Sequence, residues 1–205
     1  MGTIIINYNV GNIQSIVNML KRLGHPSQVT SDPAAIEAAT RVILPGVGAF
    51  DYGMEQLHRL GLVEVIRRKV RDSDAPFIGI CLGAQLLLDR SEEGSLPGLG
   101  LMDGQVVRFK PVDASMKVPH MGWNTVDVRR PGPLWAGLDK GSRFYFVHSY
   151  HFALARPEDV TTTTHHGYVF PSSFGRGNLF GVQFHPEKSH RYGMALLRNF
   201  CELPA

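Results

Sequence analysis

Apolar and polar positions follow two rhythms along the 205-residue chain, and the rhythm changes near its middle. In the first half, short apolar runs alternate with stretches of helical spacing. Thr3–Asn7 is a β-branched run closed by the turn-forming segment Asn7-Tyr8-Asn9-Val10-Gly11-Asn12, which predicts a strand. Ile13, Ile16, Val17, Leu20 and Leu23 then recur at helical spacing, with Gly24 where a C-cap belongs. A brief strand is expected over Gln28–Thr30, and Ser31-Asp32-Pro33 reads as a cap with proline at the first helical position. Arg41–Leu44 is a buried-strand candidate running into Pro45-Gly46-Val47-Gly48. Leu57, Leu60, Val63 and Ile66 mark one face of a further helical stretch, and Pro76–Ile80 is a continuous apolar strand. After it, Gly83 to Leu88 looks helical. This βαβα order predicts an α/β fold with a mostly parallel sheet and helices on both faces.

The second half reads as strands joined by turns: Gln105–Phe109, Thr125–Val128, Arg143–Tyr150, Val160–Thr164, Tyr168–Ser172 and Asn178–Phe184. Antiparallel ribbons appended to the sheet fit this pattern. A closing helix puts Tyr192, Leu196, Leu197 and Phe200 on its inner face. Neither a repeat nor a linker interrupts the pattern, so one domain over residues 1–205 is expected.

Composition narrows the class. Apolar residues make up 43% and charged ones 19%, enough for a buried core and too few charges for disorder. Lys+Arg 21 against Asp+Glu 18 leaves +3, too little to imply a nucleic-acid or membrane surface by itself. Two cysteines cannot build a disulfide framework or a four-cysteine zinc site. The chain starts directly on an apolar run without a basic leader, and no apolar stretch reaches membrane-spanning length, so a soluble protein of a reducing compartment is expected.

The richest chemistry lies in Ile78-Gly79-Ile80-Cys81-Leu82-Gly83. A cysteine flanked by small residues between a strand and a helix start has the layout of a nucleophile elbow. A helix N-terminus there favours the thiolate. The alternative is a buried, inert cysteine, a common state of free thiols; Cys201, in the terminal amphipathic helix, reads that way. The second segment is Gly181-Val182-Gln183-Phe184-His185-Pro186-Glu187. On an extended backbone, residues two apart share a side, so Glu187 can hold one ring nitrogen of His185 and leave the other for proton transfer. Taken alone the pair also suits a surface contact; beside an elbow cysteine it completes a Cys-His-Glu triad. The Gly46-Val47-Gly48 loop, at a strand's carboxyl end, is placed to face Cys81. There, with the Leu82 amide, it can supply oxyanion donors. A phosphate-binding turn fits it less well, because the next glycine, Gly53, misses the dinucleotide spacing.

The nine histidines raise the question of a metal. His165-His166 point to opposite sides of a strand, and His148 and His151 are three apart, so neither pair suits one ion and no metal is expected. Arg67-Arg68-Lys69 with Arg71 reads as a solvated helix face rather than a nucleic-acid patch. Trp123 and Trp135 suit core or interface anchors and ligand stackers equally well.

Together these segments resemble the class I, triad-type glutamine amidotransferases, which share the elbow Gly-x-Cys-x-Gly and the late His-x-Glu. More narrowly they resemble the glutaminase subunits of imidazole glycerol phosphate synthases. The resemblance rests on Asn7–Asn12, Pro45–Phe50, Gly79–Gln85, Val118–Asn124, Tyr145–Tyr150 and Gly181–Ser189, which span nearly the whole chain in family order. It departs at Ala84, where methionine is common, and at His190, where a small residue is more usual. The resemblance implies a flavodoxin-like three-layer fold, Cys81 as nucleophile, His185 as general base and acid, and Glu187 as its orienter. It also implies that Gln85, with the Gly46–Gly48 loop, holds glutamine. Trp123, Tyr145 and Lys188 are then expected to face a partner, a (β/α)₈-barrel cyclase subunit, in a cytoplasmic heterodimer without cofactor. Anthranilate- and guanylate-type glutaminases do not show Pro45–Gly48 and Val118–Asn124 in this form. A degenerate module that binds a synthase without chemistry would have no reason to keep Cys81, His185 and Glu187 together.

Overall fold

The computed structural model describes residues 2–138 and 140–204. Its first half follows the expected alternation: β1 (Thr3–Ile6), α1 (Ile13–Arg22), β2 (Ser27–Thr30), α2 (Pro33–Glu37), β3 (Arg41–Gly46), α3 (Phe50–Arg59), α4 (Leu62–Arg71), β4 (Phe77–Cys81) and α5 (Leu82–Gln85). β1 pairs in parallel with β2 and β3, and β3 with β4. Period-two alternation divides these strands between two cores. Ile4, Ile6, Val42, Leu44 and Phe77 face one side, with Ile36 of α2, Met54 of α3 and Ile66 of α4. Ile5, Ile43, Ile78 and Ile80 face the other, with Ile16 and Leu20 of α1. Sheets buried on both faces need such continuous apolar strands.

The second half comprises β5 (Arg90–Ser91), β6 (Gly104–Arg108), β7 (His120–Thr125), β8 (Asp127–Val128), β9 (Arg143–His148), β10 (Tyr150–Leu154), β11 (Val160–His166), β12 (Tyr168–Arg176), β13 (Leu179–Val182) and α6 (His190–Glu202). β13 returns parallel to β4, placing Val182 opposite Ile80, and β12, β11 and β8 extend the sheet antiparallel beyond it. The eight-stranded order is β2-β1-β3-β4-β13-β12-β11-β8, and α6 covers the α1 side through Leu196, Leu197 and Phe200.

Five expectations need correction. The helical stretch through Leu57 and Ile66 is two helices, divided where Gly61 turns left-handed at φ 67°. The stretch from Gly83 to Leu88 is helical for a single turn, because the carbonyls of Leu86, Leu87 and Leu88 accept from Leu99, Leu101 and Gly100 instead of continuing the helix. Arg143–Tyr150 is not one strand: the chain leaves β7 at Ser149 and joins β6 as β10. Among the described residues, only β8, β11 and β12 extend the main sheet antiparallel; β7 with β9 and β10-β6-β5 form two separate small sheets. Nor is the basic run a simple solvated face. Lys69 is buried and donates to the Glu37 and Ala39 carbonyls, while Arg67 reaches the Leu99 carbonyl.

Among the described residues, no helix is long and apolar enough to cross a membrane.

Candidate active site

β3, β4 and β13 bring three sequence segments to one end of the sheet. Register puts Gly46 opposite Cys81 and leaves Gln183 next to it on the other flank. Cys81 itself makes the sharp turn, at φ 54° and ψ −113°, a backbone conformation that costs a non-glycine residue on the order of 1–3 kcal/mol. The neighbouring glycines act by close packing instead. A Cβ on Gly83 would collide with the Leu44 carbonyl, and one on Gly79 would lie 2.6 Å from the Ala84 Cα. Gly46 is likewise a packing position: its Cβ would meet Tyr8 Oη at 2.6 Å and Gly83 N at 2.7 Å. It lies under the cavity rather than in its wall.

Beyond β13, the His185 amide donates to the Tyr145 carbonyl, and the Ser189 hydroxyl ties the His185 carbonyl to the Tyr145 amide. Pro186–Lys188 forms one 3₁₀ turn, which swings Glu187 back under the imidazole. Nδ1 of His185 lies 2.8 Å from Oε1 of Glu187, with both side chains 2% exposed. The pair expected on an extended backbone is thus made on a turn. Burial pulls the His185 pKa down, but charge on Cys81 and the Glu187 carboxylate outweigh it and push it up to about 10. Nε2 makes no hydrogen bond within the described residues, which leaves this nitrogen to the reacting groups.

Cys81 and His185 share a cavity of about 490 Å³ whose wall includes Val47, Gly48, Leu82, Gln85, Glu93 and Val147–Tyr150. A second cavity of about 530 Å³, by Arg130, Trp135 and Phe180, lies at the opposite strand ends and has no cysteine or histidine in its wall. Cys201 is buried in α6, and burial pushes its thiol up to about 11.

Two residues in or under this site escaped the sequence reading. Glu93 lines the cavity, accepts from the Phe50 amide at 2.9 Å, and has its carboxyl pKa raised chiefly by burial. In sequence it reads as part of a polar turn, Ser91-Glu92-Glu93-Gly94, and nothing local marks it. Gln183 is fully buried and points its amide nitrogen at Cys81 Sγ, 3.8 Å away; its only sequence signal is a polar residue inside an apolar strand end.

The three interface candidates also converge. Lys188 Nζ sits 5.7 Å from the Tyr145 ring centroid. Trp123, 38% exposed, meets Tyr145 edge-on and stacks on His190 at 5.2 Å. Trp135 is buried beside Phe184. Among the described residues, no group of three or more His, Cys, Asp or Glu is arranged for a metal ion.

Residues 4–203 match the class-I glutamine amidotransferase family. The chain is 48% identical over 200 residues to imidazole glycerol phosphate synthase subunit HisH 2 of Pseudomonas aeruginosa, covering 98% of each chain. It is 53% identical over 200 residues to subunit HisH of Moorella thermoacetica, covering 97% of this chain and 93% of the relative. The chain belongs to the HisH group of class-I glutamine amidotransferases. The amidotransferase fold is also that of distant solved structures. A glutamine amidotransferase crystal structure superposes with TM-score 0.75 at 21% identity, covering 98% of both chains. The PurLQS structure from Thermotoga maritima gives 0.73 at 19%, again with 98% of both covered.

Proposed function

We propose that this amidotransferase is the glutaminase subunit of an imidazole glycerol phosphate synthase, with residues 1–205 working as one catalytic domain. It hydrolyses glutamine to glutamate and ammonia. The ammonia passes to a separate (β/α)₈-barrel cyclase subunit, which makes imidazole glycerol phosphate and aminoimidazole carboxamide ribotide in cytoplasmic histidine biosynthesis. The observation that carries the chemistry is His185, locked by Glu187 at Nδ1, with Nε2 unpaired in the Cys81 cavity.

Cys81 and His185 work as a nucleophile and its paired base, with Glu187 holding the imidazole. The Cys81 thiolate attacks the side-chain carbonyl carbon of glutamine. The carbonyl oxygen becomes an oxyanion, which takes the Leu82 amide and a second N–H from the Gly46–Gly48 loop. His185 Nε2–H protonates the nitrogen, the C–N bond breaks, ammonia leaves, and a γ-glutamyl thioester remains. Water then attacks the thioester, His185 takes its proton, and the C–S bond breaks to return the thiolate and glutamate. Gln85 holds the substrate's polar groups. Glu93, the carboxylate in the cavity wall, suits its α-ammonium.

Direct transfer has a chemical reason: near neutral pH most free ammonia is ammonium, whose nitrogen has no lone pair for attack. Trp123, Tyr145 and Lys188 form the surface offered to the cyclase subunit, next to the segment that carries His185.

A glutamine-analogue electrophile tests the mechanism. It should label Cys81, spare Cys201 and abolish glutaminase turnover, and Cys81→Ser should do the same to turnover. Turnover near wild type in Cys81→Ser would overturn the covalent route.

A further inference from the structure

The amide of Gln183 has one orientation available, and it presents a donor to the nucleophile. The Tyr150 carbonyl can only accept. It receives His148 Nδ1 at 2.7 Å and Gln85 Nε2 at 3.4 Å. Gln85 must therefore turn its nitrogen, not its oxygen, toward this carbonyl. The same nitrogen lies 3.1 Å from the Gln183 side chain, which must answer with its oxygen. That leaves Gln183 Nε2 facing Cys81 Sγ at 3.8 Å. A single main-chain carbonyl thus sets the polarity of two side-chain amides and delivers an N–H to the sulfur. Gln183 is fully buried and its backbone amide is held by the Ser172 carbonyl at 2.9 Å, so the donor does not compete with water.

We propose that Gln183 is a positioning residue for the reaction: its amide N–H steadies the Cys81 sulfur as thiolate and aims it, while Gln85 and the Tyr150 carbonyl keep that amide from flipping. The inference rests on Cys81 being the nucleophile. The titratable groups that act on the sulfur are His185, whose pKa the sulfur raises, and Tyr8, whose phenol is pushed far up by burial and by Cys81; Glu93 and His148 line the same cavity. His185 supplies charge, and Tyr8 spends its hydroxyl on the Pro45 carbonyl at 2.7 Å. Gln183 is the neutral donor in this set. Hydrogen bonds to a charged acceptor are stronger than neutral ones, so loss of this donor should be felt mainly in the thiolate form.

The test is the pH profile of iodoacetamide alkylation at Cys81, read by peptide mass spectrometry on the full chain, in wild type, Gln183→Met and Gln183→Glu. Methionine keeps the length without a donor, and a glutamate carboxylate turns an acceptor toward the sulfur. The profile midpoint should move up by about one to two pH units in both variants. At neutral pH kcat should fall about tenfold or more, and KM for glutamine should change by less than about threefold. Midpoints that coincide with wild type, whatever happens to kcat, would overturn the role of Gln183 and leave Cys81 as nucleophile untouched. Alkylation of Cys81 without loss of glutaminase activity would instead remove the nucleophile reading and this inference with it. Should the methionine variant fail to unfold cooperatively, the near-isosteric glutamate variant decides alone.

Discussion

His185 Nδ1 and Glu187 Oε1 lie 2.8 Å apart because Pro186 starts a 3₁₀ turn between them. The turn fixes both the imidazole's rotation and its tautomer, since a carboxylate at Nδ1 requires the proton there. Glu187→Gln keeps the shape and removes the charge that favours the imidazolium. It should lower kcat on the order of 10²–10⁴-fold, less than Cys81→Ser, with little change in melting temperature. A loss equal to that of Cys81→Ser, accompanied by a lower melting temperature, would assign Glu187 to folding instead.

The two glycines of the 46–48 loop should fail differently. A methyl on Gly46 runs into Tyr8 Oη, Gly83 N and Leu82 Cβ, so Gly46→Ala should destabilise by about 1–3 kcal/mol. Gly48 has open space around it but sits at φ 106°. Gly48→Ala therefore meets backbone strain alone, about 1–2 kcal/mol, which the loop can relieve by moving. Its melting temperature should fall less than that of Gly46→Ala while kcat falls through a displaced Val47 peptide. Equal losses of stability in the two variants would count against this division.

Val47 lies in the cavity wall, 41% exposed, between these glycines, which give the proposed oxyanion donor backbone freedom to turn its carbonyl or its N–H inward. The lone chain should therefore be a poor glutaminase that a cyclase subunit and its nucleotide substrate activate by about tenfold or more. Steady-state ammonia release with and without the partner measures this, and full activity of the isolated chain at saturating glutamine argues against it.

Charge reversal at Lys188 and truncation of Trp123 should each weaken the complex, by about tenfold in Kd for the tryptophan. Light scattering should give a one-to-one complex for the wild type. Unaltered affinity and unaltered coupling of glutaminase to cyclase in both variants would move the contact elsewhere.

Acid should loosen the wall of the cavity. His148 donates Nδ1–H to the Tyr150 carbonyl, so its Nε2 accepts from His120 Nδ1 at 2.9 Å, and His120 Nε2 accepts from Asn124 at 3.0 Å. The two links in which an Nε2 accepts need that imidazole neutral: His148 toward His120, and His120 toward Asn124. Burial, with the nearby His166, lowers the His120 pKa from 6.5 to about 4, and burial holds His148 well below 6.5. The unfolded chain takes up these protons first, so the stability they carry is complete above about pH 6.5 and drains away toward about pH 4. For His120 this is on the order of 3 kcal/mol at most. Urea midpoints should fall with pH across this window, and less steeply in His120→Phe. Parallel slopes in the two proteins would exclude His120 as a source.

The alternation of strands and helices, both apolar faces of the parallel sheet and the segments bearing Cys81, His185 and Glu187 are written in local pattern. Period two and period 3.6 act over a few residues, and elbow and His-x-Glu motifs are equally short. Tertiary structure alone decided what depends on partners far along the chain. The helix after Cys81 stops after one turn because residues 99–101 take its carbonyls. The 143–150 run breaks at Ser149 because β7 and β6 claim its two halves. Glu93 reaches the cavity only because the start of α3 holds its carboxylate. Gln183 faces the thiol because β13 lies beside β4, and its amide is oriented by a carbonyl 33 residues earlier in the chain, at Tyr150. Backbone pairing across such separations is set by which groups remain unsatisfied once the sheet has assembled, and no local window of sequence contains that information.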